Sequence, residues 1–141
     1  MIRRRGTVAS RARIFDPVLA AYPDFRPKWQ AFADQFAHLP EGPPWYVLLG
    51  DLARDCSALL RSGREAELAA IMAAAEGWIV HGDHWTHEAA IVGFLEDLQN
   101  TNLHDGTVPD DYLRFLGPES TYWWHRLNGF WQQREPLIDP R

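Results

Sequence analysis

Apolar residues recur along this chain at helical spacing, and no alternating run of β-branched residues suggests a strand. The clearest pattern lies in the stretch HGDHWTHEAAIVGFLEDLQNTN, residues 81–102. Ile91, Phe94, Leu95 and Leu98 fall on one side of a wheel turned by about 100° per residue, and that side should face a core. Asp83 follows Gly82 and is placed to accept the free amide N–H groups of a first turn, so the helix is predicted to begin there. Carried backwards on the same wheel, the stripe takes in His84, His87 and Glu88. A carboxylate on an apolar stripe needs a partner or a proton, because leaving an ionised group out of water costs several kcal/mol.

The same reading places the other elements. Asp16-Pro17 opens a short turn of helix that Tyr22-Pro23 breaks, and Pro27 begins a helix with Trp29, Phe32, Ala33 and Phe36 on one face, ending near His38. Residues 39–44, LPEGPP, are predicted to be a loop. Pro44 opens a helix whose stripe is Trp45, Leu48, Leu49, Leu52, Cys56, Leu59 and Leu60. Ser62-Gly63 ends it, and a second stripe follows at once: Leu68, Ile71, Met72, Ala75, Trp78 and Ile79. So short a link forces two antiparallel neighbours. After the central helix, Asp105-Gly106 marks a turn, Val108-Pro109 starts a short helix ending at Gly117, and Pro118 starts the last one. There Trp123, Leu127, Phe130, Trp131 and Arg134 align, and Pro136 stops the helix.

These stripes predict an all-α fold: a compact array of about five to six antiparallel helices in one domain, residues 15–141, behind a basic, disordered tail, residues 1–14. A weak echo, LLGDLARD from Leu48 against IVGFLEDL from Ile91, has the period of HEAT or armadillo hairpins. Two amphipathic helices that merely match in phase are the preferred explanation.

Charge adds an asymmetry. The net charge is −5, but Arg3, Arg4, Arg5, Arg11 and Arg13 all lie in the first fourteen residues, which hold no acid. Without them nine basic groups face nineteen acidic ones, a net −10 for residues 15–141. Such a body is a poor ligand for nucleic acid, whose phosphates need a basic surface, and suits a basic protein partner. No apolar run reaches the roughly 20 residues of a membrane span, the first residues lack the hydrophobic segment of a secretory signal, and Cys56 is the sole cysteine. A cytoplasmic location is expected. Cys56 lies mid-stripe and reads as a buried structural thiol.

Candidate chemistry is sparse. His84, His87 and Glu88 stand at i, i+3 and i+4 and could place three metal-capable atoms around one point, with His81 or His38 as a fourth ligand. Their spacing is neither HExxH nor HxxEH, and a polar network at a helix start is the competing reading. No nucleophile elbow, catalytic triad or phosphate-cradling glycine loop is found, so no catalytic residue, cofactor or resident metal is assigned. Seven Trp, seven Phe and four Tyr are more informative. Tyr122, Trp123 and Trp124 are consecutive and sweep about 200° of a helix, so at least one should be exposed or line a groove.

The run EAAIVGFLEDLQN, with LGDLARD before it and FLGPESTYWWHRLNGFW after it, resembles a family of small, uncharacterised helical bacterial proteins, loosely similar to immunity proteins of bacterial toxin systems. The likeness spans residues 22–135 and carries no active-site residue. It implies a stoichiometric inhibitor that masks a partner's site. The leading expectation is therefore a non-enzymatic binding domain presenting Glu96, Asp97, Asp105, Asp110, Asp111, Glu119, Trp123 and Trp124 to a basic protein such as a nuclease. A ligand-free scaffold domain and a metal-dependent hydrolase using His84, His87 and Glu88 are the alternatives.

Overall fold

The computed structural model describes residues 11, 13–133, 136–139 and 141, and among them there is no strand. Residues 1–10 and 12 of the basic tail, and Arg134 of the last stripe, lie outside the described residues. The described end of the tail belongs to the body. Ile14 is buried, its carbonyl accepts from Trp78 Nε1 at 2.9 Å, and the Arg11 guanidinium lies over the Trp85 ring at 5.0 Å.

Two short helices, α1 (Asp16–Ala21) and α2 (Arg26–Gln35), each carry a proline in the first turn, where a missing N–H removes no helical bond. They contribute Val18, Leu19 and Phe32 to one core. The long helix α3 (Trp45–Arg61) buries Trp45, Leu48, Leu49, Leu52, Cys56 and Leu59, the stripe read from the sequence. Burial and the neighbouring Asp55 push the Cys56 thiol far above its ordinary range, so it stays protonated and inert.

Gly63, at φ +74°, turns the chain directly into α4 (Glu65–His81). Its N–H donates to Leu60 O at 3.2 Å, and that of Arg64 donates to Leu59 O at 2.9 Å, which satisfies carbonyls the helix end would leave open. Asp83 then caps the central helix, accepting from Thr86 N at 2.8 Å.

The central helix α5, residues 84–99, is not uniform: α-helix His84–Glu88, π-helix Ala89–Leu95, α-helix Glu96–Gln99. A π turn takes one residue more than an α turn, so it sets the stripe back by one residue, about 100°. Ile91, Phe94, Leu95 and Leu98 are buried as expected, but everything upstream is rotated. The side chains of His84 and Glu88 are 63% and 54% exposed, which corrects the expectation that they extend the apolar stripe.

α3 and α5 touch through the two echoing segments. A Cβ on Gly93 would meet Leu49 Cδ1 at 3.0 Å, and one on Gly50 would meet Asp97 Oδ2 at 3.6 Å. Higher numbers face higher numbers, so these helices run parallel with antiparallel α4 between them in sequence, as equivalent helices of stacked hairpins do.

Residues 100–117 carry the chain back along α4. They include the 3-10 helix Pro109–Phe115, whose Tyr112 is fully buried. Arg114 pairs with Glu65 at the start of α4, and Gly117 sits against Glu76 further along it. The loop before this 3-10 helix is tied to α3 by a hydroxyl chain: Asp105 N donates to Ser57 Oγ at 3.0 Å, Ser57 Oγ lies 2.5 Å from Thr107 Oγ1, and Thr107 Oγ1 lies 2.8 Å from His104 Nδ1. His104 Nε2 faces Leu98 O at 2.7 Å. A carbonyl only accepts, so the proton sits on Nε2 and Nδ1 accepts from Thr107.

The last helix, α6 (Pro118–Gln133), begins after Gly117, which has no side chain to cap it. Glu76 of α4 supplies the cap: its carboxylate accepts from Glu119 N at 3.0 Å, Ser120 N at 2.8 Å and Ser120 Oγ at 2.7 Å. No helix among the described residues is long and apolar enough to cross a membrane.

Candidate partner-binding groove

A recess of about 370 Å³ lies at the C-terminal turns of α5 and α6, lined by Glu96, Asp97, Gln99, Asn100, Asn128, Trp131 and Gln132. A second recess of about 330 Å³ shares Gln99, Asn128 and Gln132 with the first and extends to Thr101, Val108, Pro109, Asp110 and Trp124. Together they form one groove. Glu96, Asp97, Asp110 and Trp124, four of the expected partner-binding residues, line it.

Its chemistry is one-sided. Among the described residues neither Glu96 nor Asp97 has a hydrogen bond or an ion pair. Burial raises both above the ordinary carboxylate range. Asp97 reaches about 6 because burial and the adjacent Glu96 charge outweigh the pull of Arg54. The Gln99 amide donates through Nε2 to Trp124 O at 2.9 Å, which fixes its other end: Oε1 is buried and has no donor among the described residues. At the rim, Trp131 is 58% exposed and Val108 56%.

The remaining expected acids are engaged elsewhere. Asp105 pairs with Arg61 on another recess, lined also by Arg54 and His104. Asp111 accepts from Val108 N at 2.9 Å and so caps the 3-10 helix. Glu119 is held by the Arg141 guanidinium at 2.8 and 2.9 Å, which lowers its pKa. Arg141 also lies over the Tyr122 ring at 3.7 Å, and Tyr122 OH donates to Asp139 at 3.1 Å.

The expectation for the two consecutive indoles needs correction. Trp123 is 6% exposed and Trp124 1%, so both are core residues and neither is a surface anchor. Of the three aromatics in the run, Tyr122 is the one left half-buried. Trp131 is the open indole instead, although the sequence placed it on the core stripe. α6 runs past the end of the core, and a helical wheel shows the direction of a residue, not whether anything is there to cover it. Gln99, Asn128 and Gln132 were also missed, since neutral amides on a helix carry no distinctive spacing.

His84, His87 and Glu88 do not converge. His84 Nε2 is 3.4 Å from Glu88 Oε2 in a solvent-exposed pair, whereas His87 Nδ1 faces the other way, 2.8 Å from Ile79 O. No group of three or more His, Cys, Asp or Glu among the described residues is arranged to hold a metal ion. The π segment accounts for this, since it turns the upstream residues out of the phase in which they would have met one apolar face.

Fold and site define a small all-helical domain with an acidic, amide-lined groove edged by one open indole. The chain belongs to the family described as "Domain of unknown function (DUF7674)", whose profile matches residues 15–132. No curated protein and no solved structure matches it.

Proposed function

We propose that this domain is a non-enzymatic binding protein of the immunity or antitoxin type, which masks a basic face of a partner such as a nuclease. The observation that carries this reading is the groove between α5 and α6. Glu96 and Asp97 are partly desolvated there with no ion pair among the described residues, beside the exposed Trp131 indole. Holding ionised carboxylates partly out of water without a direct ion pair disfavours the isolated protein, and a basic partner removes that penalty. The net −10 of residues 15–141 would steer such a partner at long range, and Trp131 would slow its departure once seated.

Capture from the native host tests this, using the intact chain and its Glu96→Lys/Asp97→Lys/Asp110→Lys variant as parallel baits. The expected result is a basic protein retained by the first and lost by the second, with an association rate that falls as salt rises. Recovery of no partner, or of one held equally by both baits, refutes the proposal.

A further inference from the structure

From the groove we infer that the recess formed by Glu96, Asp97, Gln99, Asn128, Trp131 and Gln132 is the seat of an arginine side chain projected by the protein partner. The inference rests on the binding reading above and makes its chemistry specific. Two independent features converge, the acid pair and the open indole. The recess holds two carboxylates that have no ion pair among the described residues, which excludes an anion and calls for a cation. Gln99 forms part of its wall and is held in place by the bond from Nε2 to Trp124 O, with its Oε1 covered by the protein. The recess also has a flat, 58% exposed indole at the rim.

A guanidinium answers both at once. It carries five N–H donors in a plane, pairs with a carboxylate through two parallel bonds, and stacks on an indole face. A lysine ammonium offers charge but no plane, and therefore uses neither Trp131 nor a bidentate geometry fully. Burial raises the pKa of both carboxylates, and a bound guanidinium would lower both.

The test titrates blocked arginine (N-acetyl-arginine amide) and its lysine and citrulline counterparts into the full chain. It follows the indole N–H of Trp131 and the side-chain amides of Gln99, Asn128 and Gln132 by NMR. Expected are shifts confined to these groups, roughly fivefold tighter binding of arginine than of lysine, and none of neutral citrulline. Trp131→Ala should remove the preference for arginine while leaving weak cation binding, and Asp97→Asn should weaken both cations. Equal binding of arginine and lysine, or shifts spread over every surface acid, overturns the inference. So does binding seen only once Arg3, Arg4 and Arg5 are changed to Gln, which would make the chain's own arginines the occupant. Self-association abolished by Trp131→Ala would make the occupant a second copy and equally overturn it. The two proposals fail separately: a basic partner held equally by the parent and the Trp131→Ala and Asp97→Asn variants defeats the arginine seat alone, whereas arginine binding without any basic partner defeats the masking function alone.

Discussion

Replacing Glu76 by alanine should destabilise the fold more than any other single change to a side chain outside the hydrophobic core. Its carboxylate lies on α4 but satisfies the first turn of α6, taking Glu119 N–H, Ser120 N–H and the Ser120 hydroxyl at 2.7 to 3.0 Å. A bond to a charged acceptor contributes about 1.5–3 kcal/mol and a helix cap about 0.5–2 kcal/mol. Glu119 N–H can recover some water, so Glu76→Ala should cost about 3 kcal/mol rather than the full sum. Glu76→Gln keeps one carbonyl oxygen for Ser120 and turns an N–H₂ towards Glu119 N–H, and should cost about 1–2 kcal/mol. Gly117 provides an internal check. A Cβ there would come within 2.6 Å of the Glu76 carboxylate, so Gly117→Ala should cost about 2 kcal/mol in the parent and much less once Glu76 is alanine. Urea denaturation followed by circular dichroism reads all four corners of the cycle, with an unchanged m-value as the sign that only stability moved. A loss below about 0.5 kcal/mol for Glu76→Ala, or strict additivity with Gly117→Ala, would refute the cap.

Three further outcomes are expected. Ser57→Ala removes the hydroxyl that accepts from Asp105 N and meets Thr107, and should lower stability by about 2 kcal/mol in the same assay. Trp131→Ala should change the unfolding free energy by no more than about 0.5 kcal/mol whereas Trp124→Ala should cost about 3–5 kcal/mol, and equal effects would contradict their 58% and 1% exposures. Asp97 is an acid whose folded pKa, about 6, lies above its ordinary 3.8. Its stabilising contribution is therefore complete below 3.8 and lost as pH rises through 6. Asp97→Asn should accordingly stabilise the chain at pH 7 by about 1 kcal/mol, with the gain fading towards pH 4, and a gain that does not fade would show that Asp97 is not the titrating group.

What could be read from the residues alone was whatever is decided within a few positions. The stripes of α3 and α4, the Gly63 reversal, the Asp83 cap and the burial of Cys56 depend on helical periodicity and on backbone sterics, which act between near neighbours. Glu96, Asp97 and Asp110 were legible as site candidates only because each is an acid; nothing in their spacing distinguished them from Asp111 and Glu119, which serve as a cap and an ion-pair partner.

The rest was settled by packing between distant segments. A cap can come from any carboxylate that reaches the helix start, and Glu76 lies more than forty positions from the amides it satisfies. The π turn of α5 is buried almost all round and pressed against Leu49 through Gly93, an environment that no wheel contains, and it alone turns His84 and Glu88 into solvent. Whether an indole is core or surface depends on where neighbouring helices end. Trp124 lies beneath them and Trp131 beyond them, one face of one helix divided by the edge of the core.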